Sequence, residues 1–451
     1  MKVNSCIIKN KFFDNRDLIV LIIPLIAEQF LSFLVGLADS LMAANIGEAA
    51  ISGVSLVDML SELLISIFAA LSTGGAIITG QYLGAKDYAG AQKAANQTVW
   101  FSGCIGVVIM FAVYLCKNLI LHNLFGKIEA DVYSNAETYL MITALSIPFL
   151  ALYNSGASIF RSIGNSALPM RVMLFMNLVN MAGNTVLLFV FHMGIEGLAI
   201  PTLISRIGAA IIILILAAKK RNTVFLEKFG GLDKNEIVRI LKIGIPYSLE
   251  NGIFYLGRLF LMNLVSTFGT AAIAANSIGG TLTSFQALPG MAIGLGLSVV
   301  ISRCAGANDF CQARYYTKKI IGIIYALQII SGGLIISALP FLIRIYNISA
   351  ETAQLVSQIV WSHGIIMILI WPLGNSLPIV FRASGDAKFP MTVCVVSMIF
   401  CRIVFAYFFV YVMKINMIAV WIAIYCDWIV KGIIFFIRYR KGKWTKYKAI
   451  R

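Results

Sequence analysis

Charge is scarce in this sequence. Asp, Glu, Lys and Arg make up 12% of its 451 residues, about half of the roughly 25% that a soluble domain carries. That shortage excludes a soluble enzyme, a disordered chain and a nucleic-acid-binding module. Histidine is scarcer still, with 3 residues, His122, His192 and His363, scattered along the chain. There is no HExxH and no GxSxG, so a membrane-embedded hydrolase lacks its usual reagents. We expect no enzyme, no catalytic residues, no resident metal and no cofactor. None of the 8 Cys forms a CxxC, and most sit in apolar runs, which reads as buried free thiols. Acidic residues number 20 against 36 basic ones, a net charge of +16. On a soluble protein that excess would suggest nucleic acid. Here it reads as loops that face the cytoplasm.

Apolar residues are what the sequence has in abundance. They form 59% of the chain, and the mean hydropathy is +0.87. A spanning helix needs about 20 mostly apolar residues. Turn and charge signals divide the chain into twelve such stretches, near 18–44, 51–80, 94–116, 136–160, 168–192, 195–218, 238–267, 271–301, 316–340, 355–381, 390–413 and 417–437. The first is too long for a signal peptide and carries Glu28 and Asp39. Membrane barrels would give short alternating segments instead. The fold class is therefore all-α and polytopic, in the cell membrane.

Lys and Arg divide unevenly between the two sides. The loops on the side of both termini hold 28 of them, the opposite loops 4, and Arg206, Arg258, Arg402 and Lys431 lie within spans. Both termini and the central linker are expected in the cytoplasm.

The two halves repeat. Pro24-x-x-x-Glu28 recurs as Pro246-x-x-x-Glu250, 222 residues later. At the same offset Gly47-x-Ala49-Ala50-Ile51 matches Gly269-x-Ala271-Ala272-Ile273, and Gly84-Ala85-x-Asp87 matches Gly306-Ala307-x-Asp309. Asn154-Ser155 matches Asn375-Ser376, and Phe160-Arg161-x-x-Gly164 matches Phe381-Arg382-x-x-Gly385, both at 221. Each repeat has an even number of spans, so both enter from the same side, the parallel-repeat plan of some secondary transporters. The expected organisation is a cytoplasmic segment 1–17, a six-helix bundle 18–218, a linker 219–237, a second six-helix bundle 238–437 and a basic tail 438–451. Gly230-Gly231 suits a flexible linker.

Pro24 through Glu28, Gly36 through Asp39 to Met42, the Gly84–Asp87 loop, Asn180-x-x-x-Asn184 and Gly197 through Thr202, in this order on a doubled six-helix chain, resemble a multidrug and toxic compound extrusion (MATE) transporter. The DinF-like bacterial branch is the nearest side. The resemblance covers roughly residues 15–437. It implies a V-shaped pair of bundles that exports a small organic cation or amphipath in exchange for H⁺ or Na⁺. It needs no nucleic acid and no partner subunit, so a monomer in the bilayer is expected. A flippase for a lipid or lipid-linked metabolite is the alternative within the wider superfamily, and it would be expected to carry a strongly cationic cavity.

Ionisable groups inside a membrane are costly and mark function by default. Asp39 lies well along the first span. A carboxyl there can bind and release a proton, or hold Na⁺ as an oxygen ligand; a fixed salt bridge with Arg206 is the structural reading. The resemblance makes an Asp at this position a coupling residue. Asn177, Asn180 and Asn184 share one face of the fifth span at i, i+3 and i+7. Amide oxygens can ligate a cation, or they can serve as packing glue. The second repeat has Cys401 and Phe405 in place of Asn180 and Asn184. The family pattern has Asp where this chain has Asn184, with a Thr at Thr202, so one negative charge is missing and more weight falls on Asp39.

Glu250, Glu28 and Asn375 form a candidate second coupling or substrate set. The family's carboxylate on the seventh span lies about one turn beyond Glu250. Asp58 and Glu62 share a face and repel unless a cation intervenes, with Arg206 or Arg258 as partners to test. Asp427 and Lys431 are spaced for a local salt bridge. Met173 and Met176 are candidates for a polarizable cavity lining, and Arg161 and Arg382 for holding cytoplasmic turns.

Overall fold

The structure, a computed structural model, describes residues 11–121, 129–346 and 348–450, without the side chains of 40, 41 and 44. His122 and Lys127 lie outside the described residues, as do Cys6 and the first lysines. All regular structure among the described residues is helical. The first repeat contains α1 (Asn15–Ala44), α2 (Glu48–Gly84), α3 (Tyr88–Leu115), α4 (Ala130–Ala144), α5 (Ile147–Ser162), α6 (Ala167–Thr185) and α7 (Glu196–Ala217). The second contains α8 (Lys234–Ser266), α9 (Thr270–Gly306), α10 (Phe310–Tyr346), α11 (Ala350–Trp371), α12 (Leu377–Ser384), α13 (Lys388–Ser397) and α14 (Ile418–Lys441).

Ten helical runs are long and apolar enough to cross a membrane, and α4 with α5, bent by 50°, makes an eleventh. Pro148, near the start of α5, brings no N–H to the helix ladder, which accounts for the break. The 33-residue α8 falls outside that set, because its charged side chains dilute its apolar stretch. Helices thus occupy all twelve stretches read from the sequence, and among the described residues eleven of them, the fourth broken, are long and apolar enough to cross.

Helix packing divides the chain into two units. One is Asn15–Ser248; the other runs from Leu249 onward and includes residues 11–14. The boundary falls inside α8. Each unit has its own apolar core. Phe68, Leu121 and Ala151 are among the fully buried residues of the first, and Val356, Ile359 and Met367 of the second. Within the first unit, α2 meets the start of α8 so closely that a Cβ on Gly74 would stand 2.9 Å from the Gly244 nitrogen.

The repeat extends to backbone angles. Lys86 and Asn308 have φ of 61° and 60°, and His192 and Lys414 have 52° and 54°. Positive φ is uncommon outside glycine, so its recurrence at one offset marks a duplicated backbone. Gly164 and Gly385, at 90° and 103°, end α5 and α12 in the same way; both are glycine because the left-handed region strains a Cβ. After Lys86 and Asn308, Asp87 and Asp309 cap the next helices by accepting the N–H of Gly90 (2.8 Å) and Gln312 (3.0 Å). The π-helical turns Val186–Val190 and Phe408–Val412 also correspond, whereas Pro372–Ser376 and Met398–Val404 face regular α-helix in the first repeat.

Gly230-Gly231 suggested a flexible linker, and much of that segment is hydrogen-bonded to α3. Side-chain amides on α3 hold its backbone. Gln92 exchanges two hydrogen bonds with Phe225, Asn96 accepts the Glu227 N–H (2.7 Å), and Gln97 bonds both Gly231 and Asp233. Lys93 pairs with Asp233 at 2.5 Å. A similar clamp holds residues 11–14 within the second unit. The Phe12 N–H donates to Gln312 (2.9 Å), while Phe13 exchanges two hydrogen bonds with the Tyr316 hydroxyl (2.9 and 2.7 Å).

The Lys93 hydrogen bond, and then the Glu236 N–H, hold the Asp233 carboxyl below the usual 3.8. A depressed carboxylate gives its full contribution above that value and loses it as pH falls through the lower folded value. Hydrogen exchange at residues 225–233, corrected for intrinsic rates, should therefore rise in wild type as pH drops below 3.8. Gln97→Ala should raise it roughly thirtyfold at neutral pH, since two hydrogen bonds of about 1 kcal/mol each are lost. Unchanged exchange in the variant would show that the clamp contributes nothing to the linker's order.

Candidate functional site

The polar face of α6 turns into the first unit. Asn177, Asn180 and Asn184 are all buried, Asn184 completely. The Asn184 amide donates to Asp39 Oδ1 (2.8 Å) and to Asn180 Oδ1 (3.3 Å). Asn180 in turn donates to Thr202 Oγ1 (3.0 Å), which donates to the Leu198 carbonyl (2.9 Å). The chain thus links α1, α6 and α7. Asn177 stands apart from it, donating to the Leu31 carbonyl at 3.3 Å.

Two features set this cluster apart. Among the described residues, Asp39 has no basic group within salt-bridge distance. Asn184 Oδ1 is buried and meets no donor, which is costly for an amide oxygen unless something else supplies one. The site is a carboxylate beside amide and hydroxyl oxygens, with one acceptor left over. Such a set of hard oxygens suits a proton or Na⁺.

The expected alternative, a direct Asp39–Arg206 pair, does not form. Arg206 donates to Ser146 Oγ at 2.8 Å. It stays within electrostatic reach of Asp39, Asp58 and Tyr139. Asp58 in turn interacts with Arg206, Asp39 and Glu62. Asp58 thus belongs to the surroundings of Asp39, a relation that its i, i+4 spacing to Glu62 did not disclose. Tyr139 and Ser146 were not singled out in the sequence, where they look like ordinary residues of an apolar run.

The other candidates lie elsewhere. Glu28 pairs with Arg161, and Glu250 with Arg382 at 2.8 Å. These are the same ion pair in the two repeats, and the turn arginines hold the glutamates. Asn375 donates to the Trp371 carbonyl at the end of α11 (3.2 Å). Met173 and Met176 pack against the apolar cluster of Tyr153, Phe160 and Val172. The Asp427–Lys431 pair forms at 2.9 Å, and Arg402 joins it. Six cysteines are free among the described residues, while Cys311 is disulfide-bonded, an exception to the free-thiol expectation.

The sequence model of the MatE family matches residues 24–186 and 246–408, one match in each repeat. The uncharacterized transporter YisQ of Bacillus subtilis is 26% identical over 94% of this chain and 93% of its own length. The probable multidrug resistance protein NorM of Thermotoga maritima is 24% identical over 96% and 93%. The probable multidrug resistance protein YoeA of Bacillus subtilis is 25% identical over 90% and 89%. Among solved structures, a multidrug resistance MATE family transporter of the MOP superfamily in an outward-facing conformation superposes with a TM-score of 0.88. It is 20% identical and covers 95% of this chain and 96% of that one. A MATE structure in complex with MaL6 gives the same score at 19% identity, with 96% and 97% covered.

Proposed function

Because the chain belongs to the MatE family, we propose that it is a secondary active antiporter. It exports cationic or amphipathic organic compounds in exchange for H⁺, with Na⁺ as the second choice of ion, by alternating access. Relatives named as multidrug resistance proteins support the substrate class. The division of Lys and Arg between the two sides supports cytoplasmic termini.

One observation carries the choice of ion site: the unmet Asn184 Oδ1 beside Asp39. While Asp39 is ionised, the Asn184 amide donates to it. Once Asp39 is protonated, its O–H becomes a donor, and Asn184 Oδ1 is the acceptor that lacks one. Both forms of the carboxyl thus find a partner within the same cluster, which a carrier site requires. Charge supports the same reading. Asp39, Asp58 and the more exposed Glu62 face a single cation, Arg206, so negative charge is in excess and a bound H⁺ or Na⁺ offsets part of it. Neutralisation lowers the cost of enclosing the site away from water. The ion drives export because it binds the two conformations unequally; a ligand without differential affinity shifts nothing. The flippase alternative expects a cationic interior, opposite in sign to the surroundings of Asp39.

The test is transport by the purified protein in proteoliposomes with ethidium as the reporter cation. A pH gradient and a Na⁺ gradient are imposed separately. Ethidium movement driven by the pH gradient alone is expected. Movement driven only by Na⁺ would replace H⁺ as the coupling ion. No movement under either gradient would remove the drug-export reading.

A further inference from the structure

The last residues of the second unit are basic and held in place. From Trp428 onward the sequence has no Asp or Glu against 8 Lys and Arg. α14 ends at Lys441, and Gly442 turns the chain at a φ of 66°. Trp444 then folds back and is fully buried. Its ring stacks on Tyr439, with centroids 5.5 Å apart and 7° between the planes, and meets Phe310 of α10 edge-on at 5.7 Å. Its Nε1–H donates to the Tyr439 carbonyl (3.3 Å). Further on, Ala449 lies so close to the turn between α12 and α13 that a Cβ on Gly385 would stand 3.0 Å from its nitrogen. A tail that only marks its side of the membrane needs charge and no fold. Here a buried Trp fixes where the charges stand.

Arg314, Arg440, Lys441, Lys443 and Lys446 are exposed around this anchor, and Lys448 is half-buried. None of the six is within salt-bridge distance of a carboxylate among the described residues. Asp386, in the turn beside Ala449, is already taken by Arg438 through two nitrogens (2.9 and 2.6 Å). The apolar surface runs straight into this patch. Ile433, Phe436 and Ile437 are exposed on α14, and their spacing puts them on one helix face with Arg440 and Lys441. An apolar face that leads within one turn to a cluster of cations matches a ligand with acyl chains and an anionic head. Tyr447, 43% exposed and 5.8 Å from the Arg438 guanidinium, adds an aromatic ring of the kind that gathers at membrane–water boundaries.

We propose that this tail is a docking surface for anionic phospholipid. Its fixed Lys and Arg side chains bind the headgroup phosphates of the leaflet on that side, while the acyl chains lie along Ile433, Phe436 and Ile437. A fixed array takes lipid at little ordering cost, whereas a loose tail must be ordered at each encounter. The surface stands apart from Asp39 and serves the protein whichever ion and compound it carries.

The test is native mass spectrometry of the full-length protein in detergent, titrated with phosphatidylglycerol or phosphatidylcholine at low salt. Wild type should retain phosphatidylglycerol in preference to phosphatidylcholine. Combining Lys443→Gln, Lys446→Gln and Lys448→Gln should weaken phosphatidylglycerol by at least about tenfold, since each basic residue near an anionic surface is worth up to about fivefold. Phosphatidylcholine binding by that variant should stay within about twofold, which also certifies its fold, because neither headgroup contact nor net charge is lost to a neutral lipid. Trp444→Ala keeps every charge yet frees the tail, and should weaken phosphatidylglycerol roughly fivefold. Equal retention of the two lipids by wild type, or undiminished phosphatidylglycerol in the triple variant, would overturn the surface. Wild-type affinity in Trp444→Ala would overturn the fixed array. Displacement of the lipid by an equal concentration of glycerol phosphate would overturn the lipid assignment in favour of a soluble anion.

Discussion

Asp39→Asn should reduce pH-driven export of an organic cation by at least about 100-fold, leaving the fold and substrate binding in place. The magnitude follows from what a driving ion must do. Swinging a two-state equilibrium from 1:99 to 99:1 needs about 10⁴-fold differential affinity, or about 5.5 kcal/mol. Asn has nearly the same shape as Asp but no exchangeable proton, so the coupling vanishes with the charge. It also offers Asn184 a carbonyl in place of Asp39 Oδ1 and an amide N–H for its unmet oxygen. The variant site is hydrogen-bonded and uncharged at this position, which resembles a permanently loaded state. Melting temperature in detergent should therefore hold or rise while transport is lost. Asn184→Ala should leave part of the activity, since the carboxyl persists. Full pH-driven export by Asp39→Asn would move coupling to another group, with Asp58 the first to test because it shares Arg206 with Asp39.

Arg161→Ala should be among the most destabilising single changes in the chain, costing about 3–5 kcal/mol, the usual loss when a buried ion pair is broken from one side. The group left behind is Glu28, 1% exposed. Its other oxygen, Oε2, already lacks a partner, so nothing compensates the stranded charge. The second repeat gives an internal control. Arg382→Ala strands Glu250, which is 15% exposed and also receives the Cys394 thiol, so the loss should be smaller. Removing the acids should reverse the order, since Glu28→Ala takes the carboxylate from Arg161 at 16% exposure and Glu250→Ala takes one of the partners of Arg382 at 7%. Thermal melts of the four variants in detergent read both orders at once. Adding Glu28→Gln to Arg161→Ala should recover much of the loss by discharging the stranded acid. Equal losses in all four would mean that burial does not set the cost.

The helical stretches and their duplication were legible because each leaves a long signal. Twenty apolar residues in a row cannot be missed, and matched dipeptides at one offset accumulate. Asp39 and the Asn face of α6 stood out for the same reason: a polar group is conspicuous where nearly everything else is apolar. What the residues could not disclose was pairing across distance. Nothing in Gln92, Asn96 or Gln97 announced that their amides grip a linker more than 120 residues away. Glu28 and Arg161 were each visible as half of a repeated motif, yet neither names the other. Spacing showed the pairing of Asp427 with Lys431 but not that Arg402 and the Ser397 hydroxyl share the same carboxylate. The π-helical stretches have no compositional mark, being a shift of one residue in hydrogen bonding. The bend between α4 and α5 was signalled only by Pro148, one proline among 10.

The two clamped segments are alike in space but not in time. The linker docks on Gln92 to Trp100, which the ribosome has already made when residue 225 emerges. Phe12 and Phe13 must find Gln312 and Tyr316, separated from them by 300 and 303 residues. At synthesis rates of about 5–20 residues per second, that is a wait of roughly 15–60 s. Throughout that interval the leader of the chain has no native berth, while the first unit can already be assembled. The clamp on Phe12 and Phe13 therefore closes well after the linker's, and a nascent chain halted before Gln312 would leave both residues without it.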